Sequence, residues 1–310
     1  MKKPINNIYN IINFRYAPNK FINWKYPDNI NMNLLKKYPK IFYNFNSVIW
    51  DFESDADIKI FNTNNNNILC KSTNKCISHL LSNINSFEKI NVIVFAGEDE
   101  KLSINLEEIN IILSYCNKIF FEAKDIEHNM IKTIPMGLNM AYILRNGGKR
   151  ILDIINTTKM PKHKLITCAY GNKWPSLNKI IKEREELITF CDKHKWITKS
   201  EWRPLNYYKQ LSKYKYFICP LGNGIQAPKI FECLLVRTIP VVINHPAFRD
   251  IKSYGFPILI IDCFEQLNPR FLNRKYSTEY KNINWEKIIY KLTTKGFIET
   301  ILNVGYDIIN

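Results

Sequence analysis

The feature that most constrains the fold is a repeated alternation of short apolar strands with amphipathic helices. In the first half of the chain, "INVIVFAGEDE" reads as an apolar strand, "NLEEINIILSYC" has helical spacing, and "KIFFEA" and "IKTIPMGL" are further strands. The alternation restarts with the strand "KLITCAYG" and the helix "SLNKIIKEREELITFCDKH". Because parallel neighbours need a long return connection, this pattern is typical of parallel sheets with crossover helices.

The interruption of this alternation marks a domain boundary. A chain of 310 residues is long enough for about two domains, and the stretch over residues 146–162, with "NGGKR" and "NTTKMPKHK", separates the two alternating regions. The sequence therefore predicts an α/β protein with two Rossmann-like open-sheet domains that face a central cleft. We expect an N-terminal domain over residues 1–158, a C-terminal domain over residues 159–265, and a helical tail over residues 266–310 that packs across the domains.

The charge of the chain bears on its partners. A net charge of +16 is compatible with a polyanion partner. The basic residues are scattered, however, and no long basic run occurs. The abundance of Lys, Asn and Ile is also what A/T-rich codons produce. We therefore expect no nucleic-acid partner, and a basic nucleic-acid or polyanion binding protein is the alternative interpretation.

The chain also lacks the sequence signals of membrane and metal-binding proteins. No apolar segment reaches the roughly 18–20 residues that a membrane span needs, and asparagines interrupt the apolar part of "MKKPINNIYNIINF". The 8 cysteines have neither CxxC nor zinc-finger spacing. We expect a cytoplasmic protein with buried, reduced thiols and no membrane span.

The stretch "YFICPLGNGIQAPKIFECLLV" concentrates turn residues in a chain with only 10 Gly and 14 Pro. It follows an apolar strand, and ligands of open α/β sheets bind beyond the carboxyl ends of strands. Gly222 and Gly224, which flank Asn223, let a ligand approach the backbone closely. Pro228 suits the first turn of a helix, whose N–H groups and dipole attract anions, and Lys229 adds a positive charge. The loop is therefore predicted to bind phosphate.

Glu232 follows about one helical turn later, where its carboxylate is placed to accept hydrogen bonds from ribose hydroxyls. Its neighbours Phe231, Cys233 and Leu234 are apolar, so a carboxylate in this helix needs a partner. Two plainer interpretations remain open: a tight glycine turn without a ligand, and a solvated glutamate. The stretch matches neither a P-loop nor a GxGxxG dinucleotide fingerprint.

The longer segment "SKYKYFICPLGNGIQAPKIFECLLVRTIPVVI" resembles the donor-site segment of exostosin-like glycosyltransferases of the GT-B fold. In that family a strand and a Pro-x-Gly loop lead into a helix with an Arg and a Glu, and a small-residue turn and an "IPV" strand follow. "LITCAYGNKWPSLNKIIKEREEL" resembles the segment that opens the second domain. The resemblance covers residues 164–262.

The resemblance implies a GT-B-like enzyme that uses a nucleotide-sugar donor as co-substrate, with no bound cofactor, and a glycan or glycoprotein acceptor. It implies that Glu232 binds the ribose and that the loop from Gly222 to Lys229 binds the diphosphate. It further implies a phosphate contact from Lys173 or Arg184.

The chain departs from the family pattern at two places. Lys229 stands where the family usually has Arg, which keeps the charge but loses the bidentate fork. Arg237 and Thr238 replace the usual Gly before "IPV". These departures leave open a third interpretation, a non-catalytic GT-B-like protein that binds nucleotides or glycans.

An inverting transfer also needs a base on the acceptor side, which in a GT-B enzyme is the first domain. "VIVFAGEDE" places acids after a buried strand, and we hypothesise that Asp99 or Glu98 is this base; an acidic solvated loop is the alternative. His245, after the strand in "VINHPAF", is a donor-binding or acceptor-binding candidate or a structural histidine. Asp55 and Asp57 have no apolar strand before them, so we expect a metal-independent enzyme.

Overall fold

The computed structural model describes residues 48–49, 59–60, 67–71, 74–86, 90–96, 104–137, 162–169, 178–202, 204–221, 224–292 and 300–301. The described residues up to Met136 belong to one compact unit, and those from Gly137 onwards belong to another. Each unit is α/β and contains an open parallel sheet, as the alternation predicts. The predicted boundary at residue 158 lies outside the described residues.

The first unit is organised around a parallel sheet in the order β3-β4-β5-β6. Its described strands are β1 (Val48–Ile49), β2 (Lys59–Ile60), β3 (Asn67–Lys71), β4 (Ile90–Ala96), β5 (Cys116–Phe121) and β6 (Ile131–Thr133). The short strands β1 and β2 pair with each other antiparallel. Helix α1 (Asn74–Asn83), with a 3-10 turn (Ile84–Ser86), connects β3 to β4, and α2 (Leu106–Tyr115) connects β4 to β5.

Helix α2 has a start that is fixed by its local sequence and a buried face that packs on the sheet. Asn105 accepts a hydrogen bond from the Glu108 N–H, and the Glu108 carboxylate accepts one from the Asn105 N–H, both at 2.9 Å. This capping box fixes the start of the helix. Buried isoleucines of α2 then pack on the sheet face where the rings of Phe95 and Phe121 stack with centroids 4.3 Å apart.

The second unit contains a five-stranded sheet in the order β8-β7-β9-β10-β11, and every pair in it is parallel. Its strands are β7 (Lys164–Cys168), β8 (Thr198–Lys199), β9 (Tyr214–Ile218), β10 (Ile239–Ile243) and β11 (Leu259–Ile261). Numbered from β7, this is the order 2-1-3-4-5 of doubly wound folds. The direction in which strands are added therefore reverses between β7 and β9, and this place is the switch point of the sheet.

Four helices connect these strands in turn: α3 (Asn178–Lys193), α4 (Pro204–Leu211), α5 (Pro228–Leu235) and α6 (Pro246–Ser253). Proline opens three of them, as predicted for α5. It fits there because the first helical residue needs no N–H partner. Among the cysteines whose side chains the structure describes, Cys263 is exposed and five are buried: Cys116, Cys168, Cys191, Cys219 and Cys233.

The described part of the C-terminal tail is helical, as predicted, and packs on the second unit. It comprises a 3-10 turn (Phe264–Gln266), α7 (Pro269–Lys275), a π-helical segment (Tyr276–Tyr280) and α8 (Trp285–Lys291). The Tyr216 hydroxyl of β9 donates to the Leu272 carbonyl at 3.0 Å, and the Tyr280 hydroxyl donates to the Ile258 carbonyl at 3.2 Å. Across the part of the chain that the structure describes, no helix has the length and apolar character to cross a bilayer.

Candidate functional site

The switch point of the second sheet is the natural place to look for a ligand. In open α/β sheets the crevice for ligands lies beyond the carboxyl ends of the two strands where the order reverses. Here those strands are β7 and β9, in which Cys168 lies opposite Ile218. The loop predicted to bind phosphate follows β9 and leads into α5, so the sheet order puts it at the switch point.

The first turn of α5 has the features of an anion site. Its N-cap residue, Ala227, has extended backbone and makes no side-chain capping bond. Pro228 is the first helical residue, as predicted. Since no N-cap side chain covers this end of the helix, its positive dipole end is left to other partners. Gly224, just upstream, is buried, whereas the predicted residues Gly222 and Asn223 lie outside the described residues.

Lys229 reaches across the switch point. Its ammonium donates a hydrogen bond to the carbonyl oxygen of Ala169 at 3.3 Å. Ala169 directly follows β7, so this bond joins the helix after β9 to the connection after β7. The predicted location of Lys229 on the first turn of α5 is correct.

Arg184 and its neighbour Glu183, both on α3, hold one residue of the loop after β9. The Nε and Nη2 atoms of Arg184 donate to the Leu221 carbonyl oxygen at 3.2 and 3.0 Å. The Glu183 carboxylate accepts a hydrogen bond from the Leu221 N–H at 3.0 Å. Both backbone groups of Leu221 are thus bonded to charged side chains. The predicted alternative to Arg184 as a phosphate contact, Lys173, lies outside the described residues.

Glu232 is buried, with 4% of its surface exposed, so the interpretation as a solvated glutamate is wrong. Burial raises the pKa of its carboxyl, while the nearby ammonium of Lys229 and the neighbouring hydroxyls of Tyr207 and Tyr208 lower it. The expected partner for this carboxylate therefore exists within the protein. The predicted contact with ribose is a separate matter and stays a prediction.

His245 has a structural role at the end of β10. It is the N-cap of α6, and its Nδ1 accepts a hydrogen bond from the Ala247 N–H at 3.2 Å. Its buried ring contacts Phe248 edge-on, with centroids 6.1 Å apart. Of the two roles that the sequence leaves open, this geometry favours the structural one.

The turn between α5 and β10 contains Arg237 and Thr238, one of the two places where the sequence departs from the pattern that it resembles. Arg237 has a φ of 60°, in the left-handed region that favours glycine. Thr238, next to it, is fully buried, and its hydroxyl lies 3.0 Å from the carbonyl oxygens of Leu211 and Tyr214. A glycine at position 237 would adopt this positive φ without strain, because it has no Cβ.

A buried lysine, Lys162, lies at the other end of the same sheet, just before the amino end of β7. Lys162 is 5% exposed, and its ammonium donates to the carbonyl oxygens of Ser212 and, at 2.6 Å, Val236. Burial and the nearby charge of Arg237 lower the pKa of Lys162 to about 7. Lys162 therefore joins the start of β7 to the carboxyl end of α5.

Three residues at the site are not identified by the sequence pattern: Glu183, Tyr207 and Tyr208. Each acts through a residue distant in the chain; 38 positions separate Glu183 from Leu221. Helical periodicity identifies the helices that carry them but not which loop those helices meet. The predicted bases Asp99 and Glu98 lie outside the described residues.

Neither a scan against protein-family models nor a search of curated proteins found a match to this chain. Within the described ranges, no three His, Cys, Asp or Glu side chains lie close enough together to hold a metal ion; Asp55 and Asp57 are outside those ranges. What the chain binds is therefore inferred from the switch-point residues themselves.

Proposed function

We propose that the chain is a glycosyltransferase that binds a nucleotide-diphosphate sugar at the switch point of its second sheet. The observation that carries the proposal is the position of Lys229, on a helix end without an N-cap side-chain bond, beside the carboxyl ends of β7 and β9. A helix N-terminus and an ammonium together favour a polyanion such as a diphosphate. The resemblance to the exostosin-like donor segment is the reason that we propose a sugar nucleotide, rather than a free diphosphate, as the ligand.

The proposed reaction breaks the bond between the anomeric carbon and the diphosphate and forms a new bond to an acceptor hydroxyl of a glycan or glycoprotein. The leaving diphosphate gains negative charge as the bond breaks, and Lys229 with the first turn of α5 stabilises that charge. The same fixed charges make a metal-independent reaction feasible. In the inverting form of the reaction that we propose, Asp99 or Glu98 accepts the proton of the acceptor hydroxyl.

Glu232 has two possible roles in this proposal, and one comparison separates them. As a ribose contact, it would contribute to the binding of nucleotides but not of inorganic pyrophosphate. As a buried partner of Lys229, it would affect both ligands alike. Isothermal titration of UDP, GDP and pyrophosphate into wild type and Glu232→Gln therefore distinguishes a selective loss of nucleotide affinity from a parallel loss.

A thermal-shift panel of nucleotide sugars, free nucleotides and inorganic pyrophosphate tests the proposal. Ligands that bind the folded state alone raise its stability. We expect stabilisation by one UDP- or GDP-sugar that is lost in Lys229→Met. The matched control is Lys252→Met, which removes an exposed lysine on α6. Sugar transfer to glycan acceptors is then measured with the stabilising donor.

Other results would contradict the proposal. A chain that no nucleotide or pyrophosphate stabilises, and that binds RNA in a salt-sensitive manner, would be a basic polyanion-binding protein. A chain that binds a sugar nucleotide but transfers sugar to no acceptor, and does not hydrolyse the donor, would be the non-catalytic binder.

A further inference from the structure

The two connections at the switch point are bonded to each other in both directions. Helix α3, which follows β7, bonds the loop after β9 through Leu221. Helix α5, which follows β9, bonds the connection after β7 through Lys229 and Ala169. Leu221 directly precedes the Gly222–Gly224 stretch, so its bonds fix the point at which the glycine-containing loop begins.

The chemistry of these bonds suits a positioning role. Glu183 and Arg184 are both half-buried, and hydrogen bonds that involve charged groups are stronger than neutral ones. A loop that contains glycines has much backbone freedom to lose. Bonds that restrict the loop in advance reduce the entropy lost when a ligand binds, so they increase affinity without touching the ligand.

Arg184 has a particular constraint. Its Nε and Nη2 atoms form one of the two guanidinium edges that can make bidentate contacts with phosphate, and both atoms already bond the Leu221 carbonyl. In this geometry that edge is not offered to a ligand.

We propose that Glu183 and Arg184 are positioning residues, which hold Leu221 so that the loop leading into α5 is pre-formed for its ligand. Arg184 then acts through Leu221 and makes no direct contact with a diphosphate. The nature of the ligand rests on the proposed function, but the effect of the two side chains on the loop does not.

The test uses the full chain and two measurements. Amide hydrogen exchange in peptides that cover residues 219–227 reports on the loop, and titration with inorganic pyrophosphate reports on the site. The variants are Glu183→Ala and Arg184→Ala, with Glu183→Gln and Arg184→Lys as conservative partners. The matched control is Glu186→Ala, because Glu186 lies on the same helix and is exposed.

We expect each alanine variant to exchange these amides about tenfold faster and to bind pyrophosphate about tenfold more weakly. The conservative variants should recover part of both effects, because Gln still accepts a hydrogen bond and Lys still donates one. The control variant should match wild type. Thermal unfolding of each variant shows whether global stability has changed, and the conservative variants supply the comparison if an alanine variant does not fold.

Wild-type exchange rates in both alanine variants would overturn the proposal. So would a loss of pyrophosphate affinity in Arg184→Ala with unchanged exchange, because that pattern belongs to a direct phosphate contact. If wild type itself binds no pyrophosphate and no nucleotide, the proposed function fails, yet the exchange measurement still decides whether Glu183 and Arg184 hold the loop.

Discussion

Lys229 and Ala169 are 60 positions apart in the chain and meet at the switch point, with the ammonium 3.3 Å from the carbonyl oxygen. The same ammonium lowers the pKa of Glu232, which burial raises. A single lysine is therefore shared between a backbone oxygen, a buried carboxylate and, in our proposal, a diphosphate. Replacing Lys229 thus affects the interior of the protein as well as its ligand site.

Glu232 should make stability depend on pH. Because its carboxyl has a raised pKa in the folded protein, the folded state binds more protons than the unfolded state as pH rises above the ordinary carboxyl range. Its contribution to the free energy of unfolding is therefore full at low pH and is lost as pH rises through the raised pKa. The free energy of unfolding, measured with urea from pH 4.5 upwards, should decline as pH rises, and this decline should be weaker in Glu232→Gln. Glu265→Gln, at an exposed position, should retain the wild-type decline, and an identical decline in Glu232→Gln would contradict the assignment.

Lys162 should have the opposite effect in a higher pH range. Its pKa is lowered from 10.5 to about 7 by burial, so between these values the unfolded state binds the proton that the folded state has lost. The free energy of unfolding should therefore rise by roughly a few kcal/mol from pH 7 to pH 10.5 on account of this residue. Lys162→Met should remove that rise, whereas Lys195→Met, at an exposed position, should keep it. Parallel pH profiles for wild type and Lys162→Met would exclude a perturbed lysine.

Arg237 should carry backbone strain. A left-handed conformation costs a residue with a Cβ about 1 kcal/mol or more relative to glycine. Arg237→Gly and Arg237→Ala both remove the side chain, but only the glycine variant relieves the strain. We expect the free energy of unfolding of Arg237→Gly, measured by chemical denaturation, to be about 1 kcal/mol higher than that of Arg237→Ala. Equal stabilities would mean that this turn relaxes when the side chain is lost.

His245 should matter to stability more than to ligand binding. Loss of an N-cap acceptor costs about 1 kcal/mol, so His245→Ala should lower the free energy of unfolding by about that amount, and His245→Asn should restore most of it. Pyrophosphate affinity should stay at the wild-type value in both variants. A large loss of affinity without a loss of stability would instead make His245 a ligand contact.

Much of the second unit follows from its sequence. The apolar runs around "YFICP" and "TIPVVI" predict strands because burial on both faces of a parallel sheet leaves near-continuous apolar sequence. The start of α5 was predicted because proline and the preceding glycine turn have specific backbone requirements. By contrast, the sequence analysis predicts no helix for "NHPAF", although it has the same proline signal after a strand; α6 begins there, at Pro246.

Other features depend on tertiary contacts that no local pattern reports. Strand β3 and helix α1 lie in Asn-rich, polar sequence. Strand β3 pairs with β4, and Ile77 and Leu80 of α1 are buried in the core of that unit. The order of strands in the second sheet, and with it the switch point, is likewise a property of the assembled sheet. The bonds of Glu183 and Arg184 to Leu221, and of Lys162 to Val236, become visible only when distant segments meet.

The hydrogen bonds of the tail have a practical consequence for anyone who wishes to isolate the second unit. Tyr216, in the central strand β9, is covered by the rings of Tyr276 and Tyr280, each with its centroid 6.1 Å away, and bonds the Leu272 carbonyl. A fragment that stops after β11 would leave this apolar face of the sheet exposed to solvent and prone to self-association. A fragment that is meant to fold on its own should therefore extend at least through the π-helical segment (Tyr276–Tyr280).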